Sequence, residues 1–404
     1  MGFFDKMFGN KATDDTATAE TREVDFIDAL SMHLRGETDP ALSAYQKIVE
    51  QAPDDNLALF FTAAVKAGKG DTAEAAESLR SLSLRIATGG DTISRALSLD
   101  LDALTSGAPF LRVPAIAEII VSFGDALKKE GFVQESAVCF EIAVGLVPDH
   151  AQVLHKFGDT LHDLGMYDYA EKVLLEALKF APNHWGALYT YAVLLQDLGR
   201  MEEAITYYEK AVKLNPDHAN CQNNFGAALM MSNRLEEALE HCTLASGLAP
   251  GFPLAKVNLG NIHLMMEKYE TARICFEEAI ALDGSLAMAH FGLGSAEQLL
   301  GVDSGRVRES YLKAIKLNPS FPKFHHALGN LLAKEGNPDA LAHFSEAEQL
   351  NSSLVNLQRD FGAACLEMGR REEALKHLRA ALQQNPDDET AREMLSKAEE
   401  GNPA

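Results

Sequence analysis

Apolar and small side chains recur along most of this chain with a period of 34 residues, marked by Pro148, Pro182, Pro216 and Pro250. Gly284, Pro319, Ser352 and Pro386 continue the series, with one residue gained near Asp303 and one lost near Asn337. Residues 117–388 therefore divide into eight units. Within a unit the apolar positions fall three and four apart, which gathers them on one face of a helix. The spacing predicts two helices per unit. The first carries a small residue at Gly124, Gly158, Ala192, Gly226, Gly260, Gly294, Gly329 and Gly362, each preceded by a large one such as Phe123, Tyr191 or Phe361. The second repeats alanine at Ala170, Ala204, Ala238, Ala272, Ala340 and Ala374, with a larger residue such as Leu174, Tyr208, Phe276 or Phe344 four positions later. Antiparallel helices approach closely only where side chains are small, so these columns mark the crossing points. Gly131, Gly165, Gly199, Gly336 and Gly369 fall between the two helices, where a left-handed residue ends the first. The proline ends the second helix and turns the chain into the next unit.

At these columns the sequence resembles the tetratricopeptide repeat (TPR) family over residues 117–388. The resemblance implies an all-α fold: a right-handed superhelical solenoid of antiparallel helix pairs. It also implies that the first helices line a concave groove that takes peptides or partner proteins.

The flanks carry weaker versions of the pattern. Residues 22–89 read as a divergent TPR-like module, with Ala41 and Tyr45, then Ala75 and Leu79, at second-helix positions. Residues 90–116 break the period between Gly89-Gly90 and Ser106-Gly107-Ala108-Pro109, and read as a helical joint. Residues 389–404 read as a capping helix and tail, since a solenoid needs a polar cover on its last apolar face. Residues 9–21 read as disordered linker.

Charge narrows the function. With 59 acidic against 36 basic residues, the net charge of −23 opposes nucleic acid, and the basic residues form no patch. Five cysteines without a CxxC pair fit a reducing cytoplasm rather than a disulfide framework or zinc site. No apolar run reaches the roughly 18 residues of a spanning helix, and the N-terminus lacks a secretory pattern.

The sequence offers no convergent chemistry. The 13 histidines show no metal-ligand spacing. Cys139, Cys275, Cys242 and Cys365 fall on packing columns. Gly292-Leu293-Gly294 lacks the strand–turn–helix setting of a nucleotide loop. Acidic pairs such as Glu202-Glu203 open second helices, where the helix dipole favours them. The expectation is no enzyme, no cofactor and no metal.

The family register assigns groove-facing residues on consecutive first helices. They are Tyr189, Thr190, Val193 and Gln196; Asn220, Asn223, Asn224, Ala227 and Met231; Leu254, Val257, Asn258, Asn261 and Met265; Phe291, Ser295 and Gln298; Lys323, His326 and Asn330. This stretch is almost uncharged. Asn224 and Asn258 share a column, and an asparagine amide both donates to and accepts from a peptide bond. That pair resembles the asparagine ladder of O-GlcNAc transferase repeats, with two rungs.

The first residues stand apart. Phe3, Phe4, Met7 and Phe8 would form one apolar face of a short helix, with Lys6 and Lys11 placed for headgroups. A membrane tip, a docking peptide and a segment folded back on the solenoid all fit. The leading expectation is a cytoplasmic scaffold or adaptor, membrane-associated through this tip, that holds proteins or extended peptides in its groove. A self-assembling homo-oligomeric platform and a targeting subunit of a separate transferase remain open.

Overall fold

A computed structural model describes residues 16–88, 96, 97, 100, 101, 104 and 112–400. Phe3, Phe4, Met7 and Phe8, which the sequence offers as a membrane tip, and the segment 106–109, which it offers as a loop, lie outside the described residues. The chain divides into two compact units, residues 1–215 and 216–404. Each is built of antiparallel helix pairs, and among the described residues there is no strand.

The first unit opens with α1 (Thr16–Leu34), α2 (Thr38–Gln51), α3 (Asn56–Gly68) and α4 (Thr72–Thr88). Residues 16–21 are helical rather than linker: Ala17, Ala19 and Glu20 are good helix formers and run without a break into α1. Ala96, Leu97, Asp100, Leu101 and Leu104 are also helical, with the three leucines buried on one stripe. Three regular pairs follow: α5 (Val113–Lys129) with α6 (Val133–Leu146), α7 (Ala151–Asp163) with α8 (Tyr167–Phe180), and α9 (Trp185–Asp197) with α10 (Met201–Leu214). The helix α5 starts ahead of residue 117 because Pro114 occupies its first turn, where its missing N–H costs nothing. Glu135 on α6 pairs with Arg80 on α4, whose guanidinium lies over the Phe132 ring and ties the early helices to the regular pairs.

The second unit holds α11 (Ala219–Met231) with α12 (Leu235–Leu248), α13 (Pro253–Met265) with α14 (Tyr269–Leu282), and α15 (Ala287–Leu299) with α16 (Ser304–Leu317). It continues with α17 (Pro322–Lys334) and α18 (Asp339–Leu350), α19 (Leu357–Glu367) and α20 (Arg371–Gln384), and ends in α21 (Glu389–Glu400). Arg371 donates to the carbonyls of Ala398 (2.6 Å) and Glu399 (2.7 Å), so the last turn of α21 is held against α20.

The small-residue column does the work its position suggests. An added Cβ on Gly260 would stand 2.6 Å from the Phe276 ring, and one on Gly362 would stand 2.7 Å from Leu378. Gly124, Gly158, Gly226, Gly294 and Gly329 meet Phe140, Leu174, Cys242, Tyr311 and Phe344 in the same way. These seven first helices thus lie directly on a side chain of their partner helix. Gly131, Gly165, Gly199, Gly336 and Gly369 all take positive φ in the tight turn between paired helices. Where glycine is missing, Asn233 (φ 59°) and Glu267 (φ 58°) take the same conformation. Second helices end on extended residues, such as Ala181 at φ −135°, because a residue before proline is pushed out of the helical region.

Among the described residues no helix is long and apolar enough to cross a membrane, and no group of three His, Cys, Asp or Glu could hold a metal ion. All five cysteines are buried.

Candidate peptide-binding face

In both units the first helices turn a common stripe toward one another. On a helix, residues at offsets of 3 or 4, 7 and 11 stay within a narrow angular band. In the second unit this gives Asn220, Asn223/Asn224, Ala227 and Met231 on α11; Leu254, Val257/Asn258, Asn261 and Met265 on α13; Met288, Phe291/Gly292, Ser295 and Leu299 on α15; and Lys323, His326, Asn330 and Lys334 on α17. Neighbouring first helices also touch one another beneath this stripe. Asn258 Nδ2 donates to Asn223 Oδ1 at 2.9 Å, and the Phe291 and Phe324 rings lie 5.0 Å apart.

The stripe has two apolar lips and a polar middle. Met231, Met265 and Leu299 line one lip at 64 %, 48 % and 56 % exposure; Leu254 and Met288 line the other at 47 % and 41 %. Between them lie half-buried Asn224, Asn258, Asn261 and Ser295, while Asn220 stands exposed at the outer edge. Asn223 Nδ2 donates to Asn224 Oδ1 at 3.3 Å, so Asn258, Asn223 and Asn224 form a chain of amides that fixes their orientation. An amide has two N–H donors and a carbonyl with two lone pairs, so Asn258 keeps further hydrogen-bonding capacity beyond the bond to Asn223. Ser295 is turned inward, donating to the Phe291 carbonyl at 3.0 Å. Phe291 itself is half-buried between Tyr311 and Phe324.

Three groove assignments are corrected by burial. Val257 is 5 % exposed and packs in the core with Ala272 and Phe276, because the offset that carries Asn258 outward turns its neighbour under the next helix. Asn223 is 4 % exposed and serves the internal amide chain. Thr190, in the first unit, is also 4 % exposed; its hydroxyl donates to Asp159 and lies 3.1 Å from His155 Nε2. Tyr189 is half-buried and stacks beside Trp185. Met288 and Leu299 went unassigned by the sequence, although extending the offset rule to α15 identifies both.

Charge separates the two units. On α11, α13 and α15 the only Asp, Glu, Lys or Arg residues are Lys256 and Glu297. Lys256 turns away to Glu278 at 2.7 Å, and fully buried Glu297 is met by Arg306 at 2.6 Å and by Ser310 at 3.2 Å. The first unit's equivalent face is bridged by ion pairs instead: Lys128 to Asp159 (2.5 Å) and Asp163 (2.8 Å), and Lys156 to Asp125 (2.6 Å); His162 Nε2 also lies 2.8 Å from Asp197. At the far end of the second unit, Asp360 accepts from Asn330 at 3.2 Å and lies 2.9 Å from His326 Nε2. Burial pushes the Asp360 carboxyl up, but the His326 bond and the Arg359 charge outweigh it and hold it below the usual carboxylate range.

Comparison with known proteins places these columns. Sequence profiles of the tetratricopeptide repeat match residues 29–55, 151–184, 186–218, 255–286, 310–342 and 355–398, about half of the chain. The chain belongs to the tetratricopeptide repeat family.

Two solved TPR structures share the fold, and a third aligns in part. A chain of the APC/C hetero-tetramer Cut9-Hcn1 aligns over 92 % of this chain and 95 % of its own length, at 14 % identity and a TM-score of 0.51. A tetratricopeptide repeat protein from Parabacteroides merdae aligns over 62 % of this chain and 99 % of its own, at 17 % identity and a TM-score of 0.50. YrrB, described as a TPR protein with an unusual peptide-binding site, aligns over 46 % of this chain and 96 % of its own, at 25 % identity and a TM-score of 0.37. No curated protein matches the sequence. TPR arrays are protein-interaction folds, and that coarse role belongs to this chain by membership.

Proposed function

We propose that this TPR protein is a non-enzymatic scaffold or adaptor whose second unit holds an extended, uncharged segment of a partner protein. The observation that carries the reading is the uncharged stripe on α11, α13 and α15 in a chain of net charge −23. Large apolar side chains left exposed in contiguity are uncommon on a surface with no partner. Here they form two lips around a row of oriented amides. A partner's apolar side chains pack on Met231, Met265 and Leu299 on one side, and on Leu254 and Met288 on the other. Its peptide groups bond to Asn224, Asn258 and Asn261. Methionine suits such a surface because its flexible thioether adapts to different side-chain shapes. Attachment at a membrane through Phe3, Phe4, Met7 and Phe8 belongs to the same reading and rests on the sequence.

The test is binding of a fluorescent pool of dodecapeptides built from Ala, Val, Leu, Met, Ser, Thr and Gln. The intact chain binds the pool. Met265→Glu with Leu299→Glu, both on exposed positions, lowers affinity at least tenfold, whereas Leu244→Glu on α12 leaves it unchanged. Equal affinity in all three proteins would remove the second unit's inner face as the site.

A further inference from the structure

The uncharged lips do not run the length of the second unit. On α17 the two lip positions become Lys323 and Lys334, in line with Leu254 and Met288 on one side and with Met265 and Leu299 on the other. Both lysines are exposed, and neither has a charged partner among the described residues. The acids around them are already engaged. Glu335 pairs with Arg308, and Asp360 is held by His326, Asn330 and Arg359. Arg359 also reaches Asp388 at 3.5 Å. Two unpaired lysines at matching lip positions are thus the exception on a face whose other ions are paired, in a protein with 59 acidic residues.

Resting on the peptide reading of the second unit, we propose that the bound segment carries two consecutive acidic residues at its end over α17, one for each lysine. The geometry of an extended chain supplies the reason. Successive side chains of a strand point to opposite sides. A segment lying along the central row of amides therefore sends alternate side chains to the two lips. Packed helices stand about 8–10 Å apart and an extended chain rises about 3.3 Å per residue, so about three residues pass each helix pair. Apolar residues cover the lips of α11, α13 and α15, and the next two side chains meet Lys323 and Lys334 on opposite sides. The lysines are 11 positions apart on one helix, a separation of about 16 Å, so one carboxylate cannot satisfy both. The recognised chemistry is a pair of side-chain carboxylates beside an apolar stretch.

The experiment uses the full chain and three amide-capped peptide pools: the neutral dodecapeptides above, the same pool with Asp-Asp at either end, and the same pool with Lys-Lys at either end. Two exposed ion pairs predict a gain of about five- to tenfold for the Asp-Asp pool at low salt, shrinking as salt screens them. Lys323→Ser with Lys334→Ser removes the gain and leaves neutral-pool affinity intact. If the neutral and Asp-Asp pools bind alike while Met265→Glu with Leu299→Glu still lowers affinity at least tenfold, the acidic-pair inference is overturned and the groove stands. If no pool binds, the groove itself is wrong and the inference falls with it.

Discussion

Gly292→Ala tests how the inner stripe is built. The Phe276 ring is fully buried between two first helices. An added Cβ on Gly260 would stand 2.6 Å from it on one side, and one on Gly292 would stand 2.3 Å from it on the other. Carbon contacts settle at about 3.5–4.0 Å, so the ring would need to move by more than about 1 Å toward a backbone that also lacks room. Overpacking of this kind costs about 1–3 kcal/mol. The better helix propensity of alanine returns up to about 1 kcal/mol. The expected net loss is about 1–2 kcal/mol, confined to the second unit. Gly247→Ala is the control: no atom lies within 4 Å of its added methyl, and its helix should gain a fraction of a kcal/mol. Phe276→Leu shortens the obstacle, so Gly292→Ala should be neutral or stabilising in that background, a coupling on the order of 1 kcal/mol. Repeat arrays unfold with imperfect cooperativity. Urea unfolding by circular dichroism therefore needs amide exchange across α13–α15 beside it. A Gly292→Ala protein as stable as the parent in both would refute the packing argument.

Other predictions follow from single groups. Glu267 holds a positive φ that costs a non-glycine residue about 1–2 kcal/mol, so Glu267→Gly should raise the urea midpoint of the second unit. Burial holds His155 at about 4, with nearby His184, Lys156 and Lys128 adding to the effect against Asp159; burial likewise holds His33 at about 4. The folded first unit keeps these rings neutral while the unfolded chain protonates them below about pH 6.5, so its stability falls as pH drops from 6.5 toward 4. His155→Gln should flatten that slope in melting curves taken between pH 7 and pH 5; an unchanged slope would contradict the assignment. Burial also raises the cysteine thiols, to about 12 for Cys221 and Cys242 and about 11 for Cys365. Ellman's reagent at pH 8 should find no fast-reacting thiol in the native protein and all five after unfolding.

The repeat period made much of this fold legible. A proline every 34 residues and a glycine between paired helices placed the turns, and the small-residue column placed the crossings. The same register assigned Met231, Asn258, Asn261 and Met265 to one stripe, and the structure leaves the two methionines exposed and the two asparagines half-buried. Depth was harder to read than direction. Val257 and Asn258 are adjacent in sequence, yet one joins the core and the other faces outward, because the neighbouring helix covers only one of them. Thr190 and Asn223 were hidden for a related reason: their partners, Asp159 and Asn258, lie about one repeat away and meet them only when the pairs stack. The asparagine column stops at Gly292 because Phe276 fills the space a side chain would take. The ionic bridging of the first unit's equivalent face rests on Lys128 and Lys156 reaching carboxylates on neighbouring helices, which composition alone does not reveal.

The central claim is that partner protein lies against the uncharged stripe of the second unit. Photo-crosslinking tests it most directly, with a benzoylphenylalanine placed at Met265 or Leu254 on the stripe, and at Leu244 on α12 as the outer reference. The account predicts that Met265 and Leu254 capture the same partner, that the mapped crosslinks fall in one apolar, uncharged segment of it, and that Leu244 does not capture it. Equal capture at all three positions, or capture at Leu244 alone, would contradict it.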